Sequence, residues 1–253
     1  MSDPCAAPPW AWWPDWSRPS SVRLLQTVRA GGVSPTPFDS FNLGRHVGDD
    51  PVCVAANRQR LLALVPSPPQ WLQQVHGRRV LPLPAPSGIP EAADAAWTGQ
   101  AGVVCAVMTA DCLPVVFCDL SGTRVAAAHA GWRGLADGVL EATVMALDVP
   151  PGDLLAWLGP CIGPGAFEVG PEVRARFLAI AAEAGQAFSP GPSGSDRWLA
   201  DLPLLATQAL RRCGVLQITP SRTCTWSDPE RFYSYRRDGA ATGRMATLVW
   251  LQS

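Results

Sequence analysis

The sequence predicts a single α/β (α+β) domain in which helices flank a mixed β-sheet core. Apolar runs of strand length alternate with segments of helical periodicity. A chain of 253 residues with 47% hydrophobic residues can bury one large core. The spacing of strands and helices is irregular, and no Gly-x-Gly-x-x-Gly motif follows a strand, so we exclude a Rossmann dinucleotide site. A mixed sheet with helices outside remains.

The N-terminal half begins with a segment rich in proline and tryptophan. We predict that residues 1–20 form an arm packed on the protein, with a ligand-binding tryptophan platform as the alternative, and that residues 21–253 form one catalytic domain. Val22–Val28 is predicted as the first strand. A long polar loop follows, of the kind that tends to be functional. Residues 52–64 are predicted to be helical, ended by the prolines after Val65.

The second half is predicted to contain three strands, one helix and a further strand in succession: Val103–Met108, Leu113–Phe117, Arg124–Ala128, Gly134–Leu147 and Leu154–Leu158. A helix beginning at Pro171 is expected to end near Gly185, and one capped by Asp201 near Gly214. We predict loops over residues 82–91 and 186–198. The last strand is predicted over Met245–Leu251.

Composition excludes several classes of function. The formal net charge is −1 and only 16% of residues are charged, so we expect binding neither to nucleic acid nor to an anionic membrane. No apolar run approaches the roughly 20 residues that span a bilayer. The eight cysteines lack the spacing of a disulfide framework and no signal segment opens the chain, which favours a reduced, cytoplasmic protein.

Every basic residue counted as lysine or arginine is an arginine. The absence of lysine excludes a Schiff base, a pyridoxal phosphate anchor and a Walker-type phosphate loop. Coding bias of a GC-rich genome is the favoured explanation of this composition. Any phosphate must then be held by arginine, whose planar fork binds it bidentately.

Two of the three histidines and one cysteine form a candidate metal site. His76 lies in Gln-Val-His-Gly, Cys112 in Ala-Asp-Cys-Leu-Pro, and His129 in Ala-His-Ala-Gly-Trp-Arg-Gly. Two imidazoles and a thiolate suit a tetrahedral zinc ion with one open position, as catalytic zinc requires. Their wide separation means that only the fold can bring them together. The alternative is satisfied turn histidines and an inert buried thiol.

With further motifs, these strings resemble the laccase-domain or polyphenol oxidase family, now regarded as zinc-dependent purine nucleoside phosphorylases. The resemblance runs from about residue 13 to residue 251, and one turn, residues 238–244, is a residue longer than is usual in the family. The other motifs are Phe-Asn-Leu-Gly at 41–44, Val-Gly-Asp-Asp at 47–50, Asn-Arg at 57–58, Ala-Asp-Ala at 93–95, Leu-Gly-Pro-Cys-Ile-Gly at 158–163 and Tyr-Ser-Tyr-Arg-Arg at 233–237.

The resemblance implies that His76, Cys112 and His129 bind zinc, with copper as an alternative metal. It implies phosphorolysis of adenosine, inosine, guanosine or methylthioadenosine, with adenosine deamination as a side activity. Purine nucleosides and phosphate are the implied partners, and we expect a monomer or small homo-oligomer. It also implies the fold of a bacterial toxin deamidase whose catalytic pair is cysteine and histidine.

Five further residues are candidates for the site. Arg58 is our first choice for gripping phosphate and Arg133 the second, each with a structural role as the alternative. Asp111 is expected either to hydrogen-bond a histidine ligand and support catalysis with Cys112 and His129, or to cap a turn.

His46 is a candidate proton donor or a solvated loop residue, and Asn42 either binds a ribose hydroxyl or holds an Asx turn. Other functional classes stay open beside these roles. A Cys-His amide hydrolase in peptidoglycan precursor editing would use Cys112 as its nucleophile. A copper-dependent polyphenol oxidase is disfavoured by having only three histidines. A structural zinc module is disfavoured because such sites usually show four ligands.

Overall fold

A computed structural model describes residues 7–85, 91–192, 194 and 196–252. The predicted loop over 82–91 therefore lies partly outside the described residues. The strands are β1 Ala11–Trp12, β2 Val22–Thr27, β3 Val80–Pro82, β4 Ala95–Thr98, β5 Val104–Thr109, β6 Leu113–Asp119, β7 Val125–Ala130, β8 Leu154–Leu158, β9 Glu168–Val169, β10 Phe188–Pro190, β11 Trp198–Ala200, β12 Gln217–Pro220 and β13 Met245–Leu251. The α-helices are α1 Pro51–Leu61, α2 Trp132–Ala136, α3 Val139–Leu147, α4 Pro171–Ile180, α5 Leu202–Arg212 and α6 Tyr235–Asp238.

Two sheets stack face to face, so the predicted α/β domain with a mixed sheet is confirmed. The larger has the order β12-β8-β6-β7-β4-β3, with parallel pairs at its two edges and antiparallel pairs between them. The smaller, β1-β2-β13-β5, is antiparallel throughout. A third, minor sheet has the order β10-β11-β9.

The six-stranded and the four-stranded sheet are both covered on their two faces. Along β6, Val115 and Phe117 point into a core shared with helices α2 to α5, whereas Val116 and Cys118 point into the core between the sheets. The far face of the smaller sheet packs against α1 and the loop containing Phe41 and Leu43. Burial on both faces explains why the strands read as continuous apolar runs instead of alternating patterns.

Three predicted elements differ from the observed ones. The single helix expected over residues 134–147 is two helices, because Gly138 adopts a left-handed φ of 89° between α2 and α3. The helix from Pro171 ends at Ile180 and is followed by a 3₁₀ helix over Ala182–Ala187. Residues 186–198 include β10 and the first residue of β11, with which β10 pairs, so this segment is not loop throughout.

The remaining strong patterns are confirmed. The predicted strands at Val22, Val103, Leu113, Arg124, Leu154 and Met245 all exist within one to two residues of their expected bounds. Asp201 caps α5 by accepting a hydrogen bond from the Leu204 amide at 2.9 Å. Within the described part of the chain, every helix is too short or too polar to span a bilayer.

Asn57 anchors the polar loop to α1. This side chain is fully buried, and its Nδ2 donates to the main-chain oxygens of Ser40 and Asn42 and to Ser34 Oγ at 3.0–3.1 Å. Its Oδ1 accepts from the Val33 amide at 3.0 Å. One amide thus determines the path of residues 33–42, which lead directly into the region of the candidate site.

We expect Asn57→Asp to lower the free energy of unfolding by about 3 kcal/mol, because a buried carboxylate would face three hydrogen-bond acceptors. Urea denaturation would measure this loss. Gln59→Glu makes the same chemical change at an exposed position of α1 and should cost less than about 0.5 kcal/mol. Equal stability of the two variants would contradict the anchoring role of Asn57.

Candidate metal centre

The two neighbouring central strands bring Cys112 and His129 to one edge of the larger sheet. Strands β6 and β7 are antiparallel, with Leu113 opposite Ala130 and Pro114 opposite His129. The start of β6 therefore meets the end of β7, and Cys112 immediately precedes β6. His129 is buried and Cys112 is half-buried.

His76 reaches the same place from an exposed loop that precedes β3. Its backbone is left-handed, with a φ of 58°. The ligand atoms of His76, Cys112 and His129 all lie within 4.8 Å of one another. The fold therefore brings together the three residues singled out from the sequence. Among the described residues, they form the one such group of histidine, cysteine or acidic side chains.

Asp94 connects the two histidines. It is fully buried, and its carboxylate accepts hydrogen bonds from the amides of Val75, His76 and Gly77 at 2.7–3.2 Å. Its Oδ1 also lies 2.8 Å from Nδ1 of His129. Burial raises the pKa of Asp94, but these hydrogen bonds outweigh burial and lower the pKa overall. A carboxylate on Nδ1 leaves Nε2 of His129 available to a metal.

The electrostatics of His129 reflect the same neighbours. Burial lowers the pKa of this imidazole, while Cys112 and Asp94 raise it, and the net value is about 9. Burial and the nearby His129 lower the pKa of His76. The centre thus holds one imidazole that is strongly attracted to negative charge and one that favours its neutral, ligating form.

Gly131 leaves the space that the three donors share. A Cβ at this position would lie 2.6 Å from Nδ1 of His76 and 3.1 Å from Sγ of Cys112. Any larger residue would press the ligands apart. Two imidazoles and a thiol around an open position match the donor preference of zinc, and copper also accepts imidazole and thiolate. The residues present therefore fit a metal ion.

The centre opens into a cavity of about 690 Å³. Three arginines contribute to its wall, namely Arg133, Arg236 and Arg244. The aromatic side chains of Trp132, Phe167 and Tyr235 also line it. A cavity with cationic and aromatic walls can hold an anion and a flat ring together.

Asp111 does not hydrogen-bond a histidine ligand, which was the first of the two roles expected for it. Its carboxylate accepts from Oγ1 of Thr225 at 2.6 Å, from Oγ of Ser234 at 2.9 Å and from the Arg236 amide at 2.7 Å. Its φ is 88°, so it forms the turn before Cys112. Asp111 ties the C-terminal loop to the site, and the bond to His129 comes from Asp94.

Asn42 is fully buried and supports the loop, which argues against the ribose contact. Its Oδ1 accepts from the amides of Gly44 and Arg244 at 2.8 and 2.9 Å, and its Nδ2 donates to Asp49. The bond to Gly44 is the Asx turn of the alternative prediction. Asn42 thereby positions the backbone of Arg244, a cavity residue that the sequence analysis missed.

Arg58 lies outside the metal cavity. Its Nε and Nη2 both donate to the Leu43 main-chain oxygen, at 2.9 and 2.7 Å. The edge formed by Nε and Nη2, which would bind phosphate bidentately, is therefore already hydrogen-bonded to the main chain. Arg133, our second choice, is exposed in the metal cavity and lies over the Trp132 ring, with Cζ 4.5 Å from the ring centroid.

His46 lines the metal cavity and a neighbouring one. Burial lowers the pKa of this imidazole, and the cationic Arg244 and Arg58 lower it further. These cations disfavour the protonated form that a proton donor needs. Burial also lowers the pKa of Arg244, against the opposing effect of Cys112 and Asp111, which places this guanidinium in the electrostatic field of the centre.

We expect Asp94→Asn to weaken zinc binding by about 10-fold to 100-fold. The backbone amides of the His76 loop and the His129 ring donate to the carboxylate, and the NH₂ group of asparagine cannot accept their hydrogen bonds. Titration of metal-free protein with zinc would measure the affinity. Asp153→Asn, the same change at an exposed position, serves as the control. If both variants bound zinc equally well, Asp94 would not hold the ligands.

The sequence model of the family described as multi-copper polyphenol oxidoreductase laccase matches residues 23–252. A purine nucleoside phosphorylase of Pseudomonas aeruginosa is 56% identical over 239 residues, covering 94% of this chain and 97% of that protein. The purine nucleoside phosphorylase YfiH of Escherichia coli is 52% identical over 240 residues, with 94% and 97% covered. The crystal structure of a Neisseria meningitidis protein, 48% identical, superposes with a TM-score of 0.93 over 96% of this chain and 100% of the other. This chain belongs to the multi-copper polyphenol oxidoreductase laccase family.

Proposed function

We propose that the protein is a zinc-dependent purine nucleoside phosphorylase that acts on adenosine, inosine, guanosine or methylthioadenosine. The observation that carries this proposal is the convergence of His76, Cys112 and His129 in a cavity whose wall also holds arginines and aromatic rings. The names of the relatives from Pseudomonas aeruginosa and Escherichia coli support it. Deamination of adenosine is proposed as a side activity.

Phosphorolysis forms a bond between a phosphate oxygen and C1′ of the ribose while the bond from C1′ to the purine nitrogen breaks. The electron pair leaves with the purine, which takes up a proton. Zinc held by His76, Cys112 and His129 would supply Lewis acidity and, for deamination, would lower the pKa of water. The protein must hold phosphate and purine on opposite sides of C1′.

Arg244 and Arg133 are the proposed ligands of the reacting phosphate. Both line the cavity of the metal centre, whereas Arg58 lines the neighbouring one. Arg244 is held in place because its Nη1 donates to the main-chain oxygens of Thr242 and Gly243 at 2.8 and 2.9 Å. A preorganised guanidinium loses little freedom when it binds an oxyanion.

The purine is proposed to lie against the aromatic wall. Phe167, Tyr235 and Arg236 all line the cavity. Cζ of Arg236 is 5.4 Å from the centroid of Phe167, and its Nη1 donates to the Glu168 main-chain oxygen at 2.7 Å. The arginine thereby backs the Phe167 ring. Stacking on aromatic rings suits every purine and does not select among them.

One observation favours a second candidate, the Cys-His amide hydrolase. The site contains the acid, base and nucleophile of such a hydrolase in contact order. The carboxylate of Asp94 is bonded to Nδ1 of His129, and Cys112 lies beside the same ring. Such a hydrolase has no use for His76. A metal centre uses all three ligand residues, so we rank phosphorolysis first.

His76→Ala separates these two functions. It removes one zinc ligand, so we expect zinc content and phosphate-dependent release of hypoxanthine from inosine to fall at least about 100-fold. A Cys-His hydrolase would keep Asp94, His129 and Cys112. Metal analysis, chromatography of inosine and adenosine with and without phosphate, and hydrolysis of a muropeptide precursor would be compared. Arg78→Ala, at an exposed neighbouring position, is the control. Retained amide hydrolysis without nucleoside cleavage would place the hydrolase first.

Arg244→Lys keeps a positive charge but loses the planar fork. We expect the KM for phosphate to rise about 10-fold to 100-fold in phosphorolysis, which corresponds to about 1.5–3 kcal/mol. Deamination of adenosine consumes water instead of phosphate and should change much less. Arg60→Lys is the matched control on the exposed face of α1. An equal loss of both activities would mean that Arg244 supports the nucleoside or the loop instead of phosphate.

A further inference from the structure

A second cavity of about 780 Å³ adjoins the cavity of the metal centre. The two have four wall residues in common: His46, Leu72, Gln73 and Met108. Arg45, Arg58 and Trp71 line the second cavity as well. A ligand held at the metal centre can therefore extend past the shared wall toward two further arginines.

Arg58 is a rigid part of this second cavity. Its Cζ lies 4.2 Å from the centroid of the Trp71 ring, and its Nε and Nη2 are bonded to the Leu43 main-chain oxygen. Burial lowers the pKa of Arg58 to about 10, and the neighbouring charge of Arg45 contributes to this shift. A half-buried cation beside a like charge is unfavourable until an anion compensates both.

The carboxylates of the described residues do not provide this compensation. None of them forms an ion pair with Arg45, Arg58 or Arg244 in that part of the chain. Glu91 is the acidic residue in the wall of the second cavity, and its carboxylate is 2.7 Å from Nη2 of Arg79. Asp49 lies in the same loop as Arg45, but its Oδ2 accepts from Ser34 and Asn42. An excess of positive charge therefore faces both cavities.

We propose that Arg45, His46 and Arg58 form a second oxyanion subsite that binds a phosphoryl group carried by the nucleoside itself. The substrate class would then include purine nucleoside 5′-phosphates. This inference rests on the proposed nucleoside cleavage and extends it. The reacting phosphate must lie against C1′ at the metal centre, whereas the 5′ carbon branches from another atom of the ribose ring. A group on that carbon can enter the second cavity while C1′ stays in the first.

The shared chemistry of the subsite is phosphoryl binding, and a free phosphate ion is the other source of that group. Arg45 is exposed and lines the second cavity together with Arg58, whose Nε and Nη2 are already bonded to the Leu43 main-chain oxygen. Arg45 can form a charge-assisted hydrogen bond with a phosphoryl group, and the charge of Arg58 adds to the attraction, whereas a neutral 5′-hydroxyl gains neither. Binding should therefore distinguish a nucleotide from its nucleoside.

Calorimetric titration of the zinc-loaded protein with inosine, inosine 5′-phosphate and inorganic phosphate tests this inference without requiring turnover. We expect the nucleotide to bind at least about 10-fold more tightly than inosine, in line with one charge-assisted contact. Arg45→Gln should abolish this difference and leave inosine binding unchanged. Arg60→Gln removes an exposed arginine of α1 outside the cavities and should change neither affinity.

Equal affinities of the wild-type protein for inosine and inosine 5′-phosphate would overturn the subsite. Weaker binding of both ligands by Arg45→Gln would overturn it too, since the residue would then support the nucleoside region as a whole. Binding of inorganic phosphate alone that depends on Arg45 to the same degree would assign the subsite to the free ion. If the nucleotide preference depends on Arg45 but neither ligand releases its base with phosphate, the subsite stands and the proposed phosphorolysis fails.

Discussion

The candidate centre depends on the buried carboxylate of Asp94. It accepts from three consecutive amides of the loop that carries His76, and from the ring of His129. Its own main-chain oxygen accepts from the His129 amide at 2.6 Å, at the point where β4 and β7 begin to pair. Asp94 therefore fixes the positions of both histidines relative to each other. Without it, the three amides around the left-handed backbone of His76 would lose their acceptor.

The two stacked sheets make this arrangement possible. Antiparallel pairing of β6 with β7 brings the residue before one strand next to the end of the other, and burial on both faces keeps the strands rigid. The ligands then need only short turns to leave the sheet, through Asp111 before Cys112 and Gly131 after His129. The C-terminal loop closes the same edge, because Asp111 accepts from Ser234, Thr225 and the Arg236 amide.

Local pattern predicted six strands, among them β2, β8 and β13, and singled out the candidate ligands, but it missed β3, β4 and β12 of the larger sheet and the wall of the cavity. Apolar runs located β5, β6 and β7, and residue chemistry singled out His76, Cys112 and His129. Asp94 could not be assigned its role because its partners lie in two distant segments, although its Ala-Asp-Ala motif marked it. Arg244 was missed for a similar reason, since Asn42 positions its backbone from the far end of the chain. The break at Gly138 was hidden because apolar positions keep helical spacing across it.

The two hydrogen bonds between Asp94 and His129 also have a thermodynamic consequence for metal binding. The histidine ring is already oriented, and its tautomer set, by contacts that belong to the folded chain. The His129 ring therefore loses little conformational entropy when an ion binds, and little of the binding free energy is offset by ordering this ligand. The order of this ring therefore does not depend on the ion, although a bound ion would still add to the stability of the fold. We expect metal-free protein to stay folded and to take up an ion without refolding.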